Sequence, residues 1–228
     1  FYAAMRYPRT LAQSLRPTAG HGRQAEVVVS VIAGPDRVTT EQMLNSFLNC
    51  CADISRIGRF LVVDPGLSAE DRAWLVEHYS FLEFARAGIG EKPSSGLAHI
   101  REEIDGRLWL HLGQAWWFFT PENLVTRLCA VLDAEPEVFQ VGVNLGDAAG
   151  LTGASAAEVT VRRATGTGRY VITDVVAHGP AMFDTARLDR ARGMNPAATD
   201  PIAELGRRAA AAGLRTATLD EVLCTAAV

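Results

Sequence analysis

Apolar residues along this chain alternate between two rhythms. The run "EVVVSVIAG" from Glu26 is β-branched and continuously apolar until Gly34-Pro35, the pattern of a strand buried on both faces. In "TTEQMLNSFLNCCADI" the apolar Met43, Leu44, Phe47 and Leu48 fall at helical spacing behind a Thr-Thr-Glu start, which predicts an amphipathic helix. "GRFLVVDPG" predicts a second buried strand ending at Asp64. "SAEDRAWLVEHY" predicts a helix with Ser68 as cap and two acids in its first turn. "FLEFAR" reads as a short third strand, "SSGLAHIREEIDG" as a helix ended by Gly106, and Leu108 to Leu112 as a fourth strand. Trp116 to Phe119 continues apolar until Thr120-Pro121-Glu122 opens the helix "PENLVTRLCAVLDAEP", which is followed by the strand "VFQVGVNL". Strands alternating with helices predict a mainly parallel sheet covered by helices on both faces.

The second half is more broken. "LTGASAAEVTVRRATGTGRYVITD" alternates as a hairpin does, with its turn at Gly166 to Gly168. "GPAMFDTARLDRA" predicts a helix after Gly-Pro. "DPIAELGRRAAAAG" predicts another, with Asp200 as cap, Pro201 at its first position and Gly213 at its end, and "LRTATLDEVL" closes the chain. Residues 1–25, with two prolines, two glycines and several arginines, read as a lead-in, so the domain spans 26–228. The chain opens on Phe1, which fits a processed chain, an excised domain or a longer start.

With 228 residues, 48% hydrophobic and 21% charged, the chain has apolar material for one large core. A net charge of -4, with the arginines scattered, gives no general attraction to phosphate backbones and argues against nucleic acid as a partner. No apolar run approaches the roughly 20 residues a membrane helix needs, and no signal pattern opens the chain. Cys50, Cys51, Cys129 and Cys224 show no CxxC spacing and read as core thiols of a soluble, cytoplasmic protein. No "GxSxG" elbow, "GxxxxGK" loop or "GxGxxG" turn is present, which removes the common hydrolase, P-loop and dinucleotide readings.

Open parallel sheets bind ligands beyond the carboxyl ends of their strands. The candidates are therefore Ala33 to Arg37, among them Pro35, then Asp64, and then Gly113, Gln114 and Ala115. At these positions the order "VVVSVIAG…FLVVDPG…LWLHLGQAW…HGPAMFDTARL…TDPIAELGRRAAAAGLRT" resembles the GT-A glycosyltransferases of the family 2 type. The resemblance implies a GT-A-like (Rossmann-type) α/β sandwich with a mostly parallel central sheet. It also implies a nucleotide-sugar donor and a carbohydrate or other hydroxyl acceptor. It gives Asp64 to the nucleotide, Asp200 the role of general base, and places Gly179 of "HGPAMF" beside the sugars.

The resemblance places a metal-chelating Asp-x-Asp where this chain has Gly113-Gln114-Ala115. Those residues cannot hold Mg or Mn, so metal is disfavoured and no metal ligand is assigned. Gln114 is then a candidate amide donor to phosphate, and Arg37, Lys92 and Arg101 are candidate replacements for the metal's charge. Asp147 is the one backup carboxylate. Trp116, with Trp117, reads either as core or as a wall on which an acceptor sugar stacks, and His178 falls on the ligand side. His99 shares that side, while His111 inside an apolar strand reads as packed. Two functions follow: a hexosyltransferase that works without metal, or a catalytically silent GT-A-like module that binds carbohydrate or serves as a scaffold.

Overall fold

The computed structural model describes residues 26–85, 93–145, 161–195 and 197–226. The predicted lead-in, Lys92 and Asp147 lie outside those residues. The order of elements is β1 (Val27–Ile32), α1 (Arg37–Cys50), β2 (Arg59–Val63), α2 (Ala69–His78), β3 (Leu82–Phe84), α3 (Pro93–Glu103), β4 (Leu108–His111), β5 (Trp116–Phe118) and α4 (Leu124–Ala134). Then follow β6 (Val138–Gly142), β7 (Val161–Thr165), β8 (Gly168–Thr173), β9 (Ala181–Asp184), α5 (Thr185–Arg190), α6 (Pro201–Ala211), β10 (Arg215–Leu219) and β11 (Cys224–Ala226).

Among the described residues the main sheet has nine strands in the order β3-β2-β1-β4-β9-β6-β10-β8-β7. Strands β3, β2, β1, β4, β6, β10 and β7 share one direction, and β9 and β8 oppose it, so the sheet is mixed but mostly parallel. β1 carries the run VVVSVI and sits mid-sheet, where its alternate residues serve two cores. Val27, Val29 and Val31 pack with Met43, Leu44 and Phe47 of α1, Leu75 of α2 and Leu128 of α4. Val28 joins Trp109, Phe139 and Phe183 against Ile100 of α3, Leu188 of α5 and Leu205 of α6. Phe47 is fully buried, edge-on to Phe60 and Phe118. Its burial contributes about 2 kcal/mol.

Local chemistry sets the helix starts. Asp36 accepts from Thr39 N at 2.8 Å, so α1 begins at Arg37, ahead of the predicted Thr-Thr-Glu start. Ser68 caps α2 as predicted, and Asp200 caps α6 with Pro201 behind it. α4 departs from its prediction. Glu122 is held in a bridge with Cys51, the helix begins at Leu124, and its own cap residue Asn123 makes no side-chain bond. Asp53, remote in sequence, caps it instead, accepting from Val125 N at 3.1 Å and Thr126 N at 2.6 Å. At the other end Arg187 donates to the carbonyls of Leu132, Glu135 and Val138.

One further expectation is corrected. "GPAMFDTARLDRA" is a strand and then a short helix: Ala181–Asp184 form β9, inserted antiparallel between β4 and β6, and Asp184 caps α5. Trp116–Phe118 form β5, which pairs with β11 in a two-stranded sheet packed on α1 through Phe118. The hairpin appears as predicted, with Thr165 paired to Gly168 and φ +147° at Gly168. All four cysteines are free thiols, and burial pushes Cys129 up to about 11 and Cys224 up to about 12.

Candidate functional site at the carboxyl edge

Parallel strands that end together leave a ledge, and here it is sewn by backbone. Ala33 N donates to Val63 O at 2.9 Å, joining the ends of β1 and β2. Leu112 N reaches Ser30 O, and Ile32 N reaches Gly113 O at 2.9 Å, so the chain after β4 stays bound to β1. Gln114 Nε2 donates to Ala33 O at 2.9 Å. The turn needs left-handed backbone at Gly113 (φ 72°) and at Ala115 (φ 58°). Glycine takes that conformation freely, whereas alanine is strained there by about 1–2 kcal/mol. Among the described residues the N–H groups of Gly113, Gln114 and Ala115 have no hydrogen-bond partner.

Trp116 ties this turn to a second segment. A Cβ on Gly113 would lie 3.4 Å from the indole, and a Cβ on Gly179 would lie 2.9 Å from it, so the ring is wedged between two glycines. The 177–180 segment is fixed from below. Fully buried Gln140 accepts from Ala177 N at 2.8 Å and donates to Ala177 O at 3.1 Å, while Val143 N donates to Pro180 O. Gly113, Gln114, Ala115, Trp116 and Gly179 are thus one assembly, with Ala33 joined to it through Gln114. His178 lies next to it and is exposed, as is Trp117.

The remaining candidates are spread around it. Asp64 Oδ1 accepts from Gly66 N and Leu67 N at 2.8 and 2.7 Å, which makes the residue a turn former, and its other oxygen lies 3.6 Å from Arg72. Pro35 is exposed just ahead of α1, and the Arg37 guanidinium lies 4.6 Å over Trp74, itself stacked on His78. Asp200 stands exposed at the start of α6, its Oδ1 accepting from Ala203 N at 3.0 Å. That end of α6 lies at the carboxyl edge because α6 leads into β10, which runs parallel to β6.

Arg101 is not brought to this edge. It lies in the last turn of α3, donates to Ile104 O, and pairs with Asp189 at 2.6 Å near the amino ends of the strands. His99 faces Glu102 on the same helix. His111 is buried beside Ser30 and Trp109, and burial pulls its pKa down to about 4. Ser30 and Gln140 were not singled out in the sequence. Their signal is a polar residue inside a β-branched run, "VVVSVI" and "VFQVG".

Among the described residues the donor set does not fit a divalent cation: positions 113–115 hold no carboxylate, and no three acidic, histidine or cysteine side chains converge. No described helix is long and apolar enough to cross a membrane.

No protein-family model and no curated protein sequence matches the chain. Solved structures do. A mannosyltransferase from Pyrobaculum calidifontis, in complex with GDP-mannose and Mn2+, superposes with a TM-score of 0.66 at 15% identity, covering 98% of this chain and 64% of that one. GalNAc-T7, with UDP, GalNAc and Mn2+, gives 0.63 at 10% identity over 86% of this chain and 42% of that one. S. aureus TarS with UDP gives 0.56 at 16% identity over 89% of this chain and 60% of that one. The chain spans less than two thirds of the length of each of these three. It has the GT-A glycosyltransferase fold.

Proposed function

We propose that this chain binds a nucleotide-diphosphate sugar at the carboxyl edge of its sheet and transfers the sugar to a hydroxyl acceptor. The observation that supports this most is the turn at 113–115. It is bound to the end of β1, carries N–H groups without a partner among the described residues and is wedged against Gly179 by Trp116. It occupies the ligand-facing edge of a GT-A fold. In this reading Ala33, Pro35, Arg37 and Asp64 serve the nucleotide, and Trp116, His178 and Gly179 serve the acceptor.

The acceptor oxygen attacks the anomeric carbon while its proton passes to Asp200, and the nucleoside diphosphate leaves with the bonding pair, inverting the configuration. Asp200 suits this role because only one of its oxygens is engaged by the helix cap. Charge developing on the leaving diphosphate falls to the N–H groups of Gly113, Gln114 and Ala115 and to Arg37, without a divalent cation.

A second reading, a catalytically silent GT-A-like domain that binds carbohydrate or serves as a scaffold, is favoured by Gln114, whose amide nitrogen is spent inside the turn. Release of nucleoside diphosphate from a panel of nucleotide sugars and sugar acceptors, with a chelator present, separates the two. The transferase reading expects release that falls by about a hundredfold or more in Asp200→Asn. Donor binding without release for any acceptor supports the silent domain. Activity that appears only when Mn is restored overturns metal independence, and gain of Mn-dependent binding in Gln114→Asp with Ala115→Asp marks a metal geometry that outlived its ligands.

A further inference from the structure

Ser30 is a hydroxyl in an otherwise aliphatic strand and is fully buried. Its Oγ lies 2.7 Å from Trp109 Nε1 and 2.8 Å from His111 Nδ1. An indole N–H can only donate, so Ser30 accepts from Trp109 and its single hydroxyl proton goes to His111 Nδ1, the one acceptor in reach among the described residues. The imidazole proton therefore sits on Nε2. Nδ1 faces Ser30 of β1, and on the other side of β4 the register partner of His111 is the small Ala181 of β9. No described residue bonds Nε2, and the ring keeps 9% of its surface exposed at the end of β4, two residues before Gly113. That N–H is not closed off among the described residues, so it is open to solvent and available to an incoming acceptor. Burial keeps the ring neutral, and a neutral donor suits an uncharged oxygen, whereas phosphate is better served by a cation.

We propose that His111 Nε2–H donates a hydrogen bond to a hydroxyl of the bound sugar and thereby helps determine which sugar the site accepts. Trp109 and Ser30 are its positioning residues. The inference rests on the nucleotide-sugar reading of this edge and assigns the sugar contact within it. Sites that hydrogen-bond a substrate hydroxyl discriminate strongly, because an analogue without it leaves the buried partner unpaired.

Two measurements on the intact chain test it. Nitrogen-15 NMR of the imidazoles reads the tautomer in the ligand-free protein, and titration calorimetry compares wild type, His111→Phe and His111→Gln. The titrants are UDP, GDP and their nucleotide sugars. The Trp109 indole N–H resonance reports that each variant keeps its fold. We expect the Nε2–H tautomer at neutral pH. His111→Phe should bind nucleoside diphosphate as wild type does and the preferred nucleotide sugar about tenfold more weakly. His111→Gln, whose amide keeps a donor near Nε2, should recover most of that loss. An Nδ1–H tautomer, or nucleotide-sugar binding that His111→Phe leaves unchanged or weakens no more than diphosphate binding, overturns the role of His111. No binding of any nucleotide or nucleotide sugar by folded wild type overturns the site reading itself, and this inference with it.

Discussion

Around Arg127, polar groups are spent on one another. Its guanidinium is 5% exposed, donates to Glu122 at 2.7 Å and to both oxygens of Glu221 at 3.1 Å, and lies where a side chain on Gly168 would stand. Only its Nε lacks a partner. Around Trp116, on the same edge of the sheet, the balance is reversed. Turn N–H groups and His111 Nε2 have no partner among the described residues, and Gly113 and Ala115 hold left-handed backbone. A region whose polar groups saturate one another stabilises the fold. A region that holds polar groups open to solvent on a rigid frame leaves them available to a ligand, which is the reading proposed for this edge.

The largest effect expected from this contrast is Arg127→Ala. It leaves Glu122 and Glu221 facing each other in a half-buried place and should cost about 3–5 kcal/mol, read as a fall in the urea midpoint. A loss below 1 kcal/mol would erase the contrast. Burial works against the arginine's charge, but Glu221 and Glu122 outweigh it, and Arg127 in turn holds Glu221 below the usual carboxylate range. The stability from Glu221 is therefore present above about pH 4.5 and is lost as pH falls through its lower folded value.

His111 gives the next effect, in a separate pH window. Its pKa falls from 6.5 to about 4 in the fold, so the unfolded chain takes up the proton first as the solution is acidified. Stability that is complete above pH 6.5 is lost between there and pH 4, about 3 kcal/mol in all. Denaturant midpoints at pH 7 and 4.5 should converge in His111→Phe relative to wild type. A wild-type slope identical to the variant's would mean the ring is not buried as described.

Asp53→Ala should cost about 2 kcal/mol, since it removes the only side-chain cap seen on α4 and leaves two helix N–H groups unpaired. That cap shows what the sequence hides. The central strands, α2, α6 and the β7–β8 hairpin were legible because periodicity, caps and turn residues are local. The start of α4 was not, since Pro121-Glu122 looks like a helix start while the true cap comes from a loop some 70 residues earlier. β9 was missed because Ala181–Asp184 is too short to show alternation and runs straight into a helix. The strand ends were legible, and the structure brings Gly113 to Trp116 together with Gly179 at that edge. Arg101 was misplaced because the direction of α3 carries it to the far edge.

The smallest effect sharpens the contrast by its sign. Ala115→Gly should stabilise by about 0.5 kcal/mol, because the roughly 1–2 kcal/mol of strain released at φ 58° exceeds the roughly 0.5–1 kcal/mol that glycine's freedom in the unfolded chain costs. A thermal melt that moves upward marks the turn as strained. A melt that moves downward would show that Ala115 is at ease.

Titration calorimetry of the intact chain with nucleotide sugars, in chelator, tests the central claim most directly. The account predicts heat from at least one of them. It also predicts affinity at least about tenfold lower in Gly179→Val, whose side chain would displace the Trp116 ring now 2.9 Å from a modest Cβ. Heat from none of them with a folded protein, or affinity that Gly179→Val leaves untouched, would contradict it.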